Sequence, residues 1–106
     1  MKTVSENRRS QTRYPVTVDA KLTIGEHVYE RTITNLSLGG CRLIHDQRLG
    51  VGSRVELEFR IPTSDRPIVV GGATRWSSDE SSGIQFDGLR AAEVWALNKY
   101  FESLQG

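Results

Sequence analysis

One cysteine, Cys41, stands in 106 residues, so no intramolecular disulfide framework can hold this chain together. Histidine is equally scarce. His27 and His45 are the only two, and a zinc site needs three or four nitrogen or sulfur ligands at short spacings. Three prolines and no biased tract leave no proline-rich linker. No apolar run approaches the ~20 residues that span a bilayer. Residues 1–13 are polar apart from Met1 and Val4 and lack the apolar core of a secretory signal. The net charge of +1 excludes the broad cationic footprint of a duplex-DNA or membrane-surface binder. What remains is the expectation of a soluble, cytoplasmic, single-domain protein without membrane insertion. A folded chain of this size buries roughly 60–68% of its unfolded surface, enough for one core.

Catalytic chemistry is also thinly supplied. Cys41 and His45 are four residues apart, about 13 Å along an extended strand, too far for a nucleophile–base pair. Cys41 therefore reads as a core residue, and both histidines read as surface or hairpin residues. Asp79 and Glu80 lie in a serine-rich turn and read as solvated. No phosphate-cradling loop or dinucleotide fingerprint occurs. The expectation is a non-enzyme with neither metal nor cofactor.

Against these absences the hydrophobic periodicity is clear. Val16, Val18, Ala20, Leu22 and Ile24 alternate with polar residues at the period of a strand. Gly25-Glu26 is a two-residue hairpin signal of the type II′ kind, and a second strand follows over about 27–34. The polar loop Asn35 to Gly40 leads to a short strand from Cys41 to Ile44. Val55, Leu57, Phe59 and Ile61 alternate with Arg54, Glu56, Glu58 and Arg60, the cleanest strand in the chain. Another runs from Ile68 to Trp76, where Gly71-Gly72 suggests a bulge or bend. Gly83 to Phe86 is the last. Phe59, Trp76 and Phe86 all fall on apolar faces, so Trp76 is expected in the core.

The period then changes. Val94, Leu97, Phe101 and Leu104, flanked by Ala91 and Trp95, make an apolar stripe at helical spacing over about 89–104. Asp87 is the expected N-cap, and Gly106 lies beyond the end. Six short strands and one amphipathic helix imply a mainly β fold, a small antiparallel barrel or sandwich whose helix packs on an open edge or end. Residues 1–7 are expected to be a flexible tail, and 8–106 the domain.

Two polar clusters flank the first hairpin. One is Arg8-Arg9-Ser10-Gln11-Thr12-Arg13, within a segment (residues 1–13) of local charge +3, against −2 for the rest. The other is Asn35-Leu36-Ser37-Leu38-Gly39-Gly40. A hairpin returns its chain to its start, so the two clusters should be neighbours. Arg9-x-x-x-Arg13 followed by Asn35-x-Ser37-x-x-Gly40 resembles the RxxxR and [D/N]xSxxG signature of PilZ domains, receptors of bacterial cyclic di-GMP. Gly71-Gly72…Trp76 and Gly83-Ile84-x-Phe86 are also PilZ-like, so the resemblance spans about residues 8–103.

The resemblance implies a six-stranded antiparallel barrel with a C-terminal helix. It also implies cyclic di-GMP contacts at Arg9, Arg13, Asn35, Ser37 and Gly40, with Gly39 beside them. Arg8, just before the motif, is associated in the family with uptake of a stacked ligand dimer. A guanidinium can take a phosphate or the O6/N7 edge of guanine, and can stack on a purine. Asn35 and Ser37 offer short donors and acceptors, or alternatively serve only a local turn. The implied function is a second-messenger receptor that signals to an unidentified downstream protein. The alternative is a PilZ-like adaptor of type IV pilus or motility machinery that binds no nucleotide. RNA or DNA binding is not expected, because no aromatic platform on a basic sheet face is evident.

Overall fold

A computed structural model of the chain describes residues 12–45 and 48–105. Its elements are β1 (Tyr14–Ile24), β2 (His27–Leu36), β3 (Gly40–Ile44), β4 (Arg54–Phe59), β5 (Ile68–Ser77), β6 (Ser81–Phe86) and the helix α1 (Ala91–Gln105). All six strands pair antiparallel and close into a barrel in the order β1-β2-β3-β6-β5-β4. Closure removes the exposed edges that an open sheet of this size would carry.

Periodicity fixes the register. Val18, Ala20 and Leu22 of β1 and Val55, Leu57 and Phe59 of β4 are buried, while their neighbours Asp19, Lys21, Glu56 and Glu58 face water. Each fully buried aliphatic or aromatic side chain contributes about 1.5–3 kcal/mol, and a one-residue slip would turn the whole set outward. Charge reinforces the register: Lys21 lies opposite Glu30 on one side and Glu58 on the other. The β1–β2 turn has Gly25 at φ 61° and no positive φ at Glu26, the type II′ pattern.

Several expectations need correction. The ladder between β4 and β5 runs unbroken through Gly71 and Gly72, and the shift in β5 lies at Thr74/Trp76 instead. Gly72 serves close approach, since a Cβ there would sit 2.5 Å from the Gln85 carbonyl oxygen. His45 is buried rather than superficial, with Nε2 hydrogen-bonded to Ser82 Oγ at 2.6 Å. Only part of the helical stripe is covered. Ala96, Leu97 and Phe101 are buried, whereas Trp95 and Leu104 are exposed.

Nor does Asp87 cap the helix. Its carboxylate takes the Arg54 guanidinium, and Glu93 Oε1 reaches back to accept the Arg90 backbone N–H at 2.9 Å. With no free edge available, α1 docks near the start of β1. The Phe101 ring stacks on Tyr14 at 4.2 Å, and Thr63 Oγ1 donates to the Ala96 carbonyl at 2.7 Å. Among the described residues no helix is long and apolar enough to cross a membrane.

Candidate functional site

The β1–β2 ladder brings the two polar clusters together. Tyr14 lies opposite Leu36 and Pro15 opposite Asn35, so Arg13 enters the barrel beside the end of β2. Asn35 and Leu36 belong to that strand rather than to the expected loop, and the turn is confined to Ser37–Gly39. Ser37 organises that turn. Its buried Oγ accepts the backbone N–H groups of Gly39 and Gly40, each at 3.1 Å, and its own N–H donates to the Gly40 carbonyl at 2.9 Å. Gly40 is required by packing, because a Cβ there would collide with the Ile84 carbonyl oxygen on β6. Gly39 turns its carbonyl to the Phe86 N–H at 2.8 Å. Serine and glycine in this motif thus hold two strands together, whatever else they do. Asn35 differs: its Oδ1 is buried and has no hydrogen-bond partner.

Beside the turn lies a cleft of about 580 Å³. Arg13, Ser37, Gly39 and Gly40 line it from the motif side, and Arg75 and Trp76 line it from β5. Asn35 is not among its lining residues. Among the described residues none that lines it is acidic, and Asp87, between the lining residues Phe86 and Gly88, is engaged by Arg54. Arg8 and Arg9 lie outside the described residues.

Arg75 and Trp76 are the part of the cleft that the sequence pattern concealed. Trp76 has the same parity as Ile68, Val70, Gly72 and Thr74, all of them buried, which is why it reads as core. The register shift after Thr74 cancels that parity. Consequently Arg75 and Trp76 are consecutive and both exposed, Trp76 to 41%. The indole lies over Gly83, its cross-strand partner, where any Cβ would strike the pyrrole ring. Arg75 donates from its guanidinium to Gln85 Oε1.

Three other features bear on chemistry. A second groove, about 670 Å³, lies between β1, β4 and Tyr100 and carries both signs: Asp19, Glu30 and Glu58 with Lys21 and Arg60. The His45–Ser82 pair has the spacing of a base and a nucleophile, but Ser82 is wholly buried. Burial pushes the Cys41 thiol up to about 12, against the smaller downward pull of the nearby Arg13 charge. It is an inert core thiol. Among the described residues no cluster of three His, Cys, Asp or Glu could hold a metal ion.

A family model for the PilZ domain matches residues 7–103. The chain belongs to the PilZ family. No curated protein matches it closely. Solved structures similar in fold include the Bacillus subtilis inhibitor of motility MotI/DgrA. It has TM-score 0.79 and 20% identity, over 92% of this chain and 51% of MotI. Borreliella burgdorferi PlzA, crystallised in complex with c-di-GMP, has TM-score 0.69 and 18% identity, over 93% of this chain and 43% of PlzA. The PilZ domain of CeSA from a cellulose-synthesizing bacterium has TM-score 0.68 and 11% identity, over 90% and 99% of the two chains. This PilZ chain thus spans about half the length of MotI and PlzA. At such identities the likeness is one of fold.

Proposed function

We propose that this PilZ domain is a cyclic di-GMP receptor that binds the ligand through Arg8, Arg9, Arg13, Asn35, Ser37, Gly39 and Gly40 and relays it to a downstream protein. The observation that carries the reading is the charge of the cleft: Arg13 and Arg75 line it, with an exposed indole and no acid among the described residues. A ligand with two phosphates and two purines matches cations and an aromatic face. The orphaned Asn35 Oδ1 is an acceptor of the kind that guanine N–H groups match. Arg8 and Arg9, which precede β1 in the sequence, would add further guanidinium contacts to the ligand. The composite surface so formed is the signal, and the reading carries a cytoplasmic location with it. The ligand in the PlzA structure is in keeping with this.

A second reading has specific support. Ser37 is satisfied within its own turn and Gly40 is needed for β3–β6 packing. The NxSxxG motif could therefore persist in an adaptor of pilus or motility machinery that binds no nucleotide. Titration calorimetry separates the two, using cyclic di-GMP with GMP and linear pGpG as controls. The receptor reading expects saturable binding of cyclic di-GMP and a loss of roughly 10²-fold in Arg9→Ala and in Arg13→Ala, each removing charge-assisted bonds worth about 1.5–3 kcal/mol apiece. No heat with the wild-type protein leaves the adaptor.

A further inference from the structure

The β5 irregularity does more than expose Trp76. By ladder count Arg75 is the extra residue, with Thr74 opposite Ile84 and Trp76 opposite Gly83. Such a bulge re-aims side chains, and here it sets a guanidinium and an indole side by side on one cleft wall. Gln85, opposite Ala73 on the neighbouring strand, accepts a hydrogen bond from the Arg75 guanidinium at its Oε1. That contact uses part of the five-donor fork and orients the remainder. Among the described residues that line the cleft, none is an acid that could neutralise Arg75.

From this geometry we infer that Arg75 is a base-reading residue that makes the cleft select guanine over adenine. The inference rests on the cyclic dinucleotide reading above and adds a specificity determinant to it. A purine lying against Trp76 presents its edge to the adjacent guanidinium. Guanine offers two acceptors there, O6 and N7, which match two parallel N–H donors. Adenine offers one acceptor and an amino donor, which clashes with a cation that can only donate. Gln85 is the positioning residue, since without it the fork loses its anchor.

The test is calorimetry with cyclic di-GMP and cyclic di-AMP on the wild type, Arg75→Ala, Arg75→Gln and Gln85→Ala. The wild type should prefer the guanine ligand by roughly 10- to 100-fold. Arg75→Ala should lose most of that preference by weakening cyclic di-GMP while leaving cyclic di-AMP nearly unchanged. Arg75→Gln, whose amide suits adenine N6 and N7, should narrow the ratio further or reverse it. Gln85→Ala should fall between wild type and Arg75→Ala. Equal losses for both ligands would make Arg75 a mere phosphate cation and overturn the inference, as would no loss at all. Wild-type protein that binds neither dinucleotide would overturn the receptor reading and this inference with it. Arg75 is exposed, so unchanged melting of its variants keeps folding out of the comparison.

Discussion

At the scale of single residues, the two halves of the PilZ signature divide by what they touch. Ser37 Oγ is the acceptor for two backbone N–H groups in a buried turn. Ser37→Ala leaves both donors without it, so unfolding in urea should show a loss of about 1–3 kcal/mol. Gly40→Ala forces a methyl group into the β6 backbone, and a further 1–3 kcal/mol of about the same kind is expected from overpacking. Arg13 is exposed, and Arg13→Ala should leave the urea midpoint nearly unchanged while cutting ligand affinity.

Cys41 supplies a pH signature. Its folded pKa of about 12 lies above the ordinary thiol value, so the native state keeps its proton longer than the unfolded chain. The unfolded state then binds fewer protons, and stability falls as pH rises from about 9 towards 12. Urea titrations at increasing alkaline pH should show this slope, and Cys41→Ala should flatten it.

At the scale of elements, alternation in β1 and β4 was legible because each strand buries one face against a barrel interior. The Gly25 hairpin was legible because its turn chemistry is local. Neither signal reaches the β5 shift. Gly71-Gly72 attracts attention as a bulge, yet both glycines sit in a regular ladder and make room for Asp87 and the Gln85 carbonyl. The true shift, two residues beyond Gly72, carries Thr, Arg and Trp, none of which announces an irregularity. That one unread register change hid Arg75 and Trp76 from the sequence pattern and moved Trp76 from core to cleft. His45 was misplaced for a related reason: its partner Ser82 is 37 residues away and no local pattern encodes the pairing.

The helix was legible as an element, but not its docking. Phe101, buried and stacked on Tyr14, ties α1 to the strand that Arg13 precedes. Phe101→Ala should cost about 3–5 kcal/mol, readable as a lower melting temperature. Trp95→Ala, at an exposed position, should change melting little.

At the scale of the whole molecule, the charge is arranged rather than large. The N-terminal 13 residues carry +3 and the remainder −2. Of the two grooves, the one lined by both signs is the larger, and the other is lined by Arg13 and Arg75 with no acid among the described residues. Volume favours the first and charge the second. Capture of a dianion by this arrangement should weaken with salt, since screening shortens to about 10 Å at 0.1 M ionic strength and 3 Å at 1 M.

The location of the ligand can be read directly by titrating isotope-labelled protein with cyclic di-GMP and following its amide and indole resonances. The account predicts that the largest shifts fall on Gly39, Gly40, Arg75 and the Trp76 indole N–H, and that Asp19, Glu58 and Tyr100 in the other groove stay still. Shifts centred on that second groove, or none at saturating ligand, would contradict it.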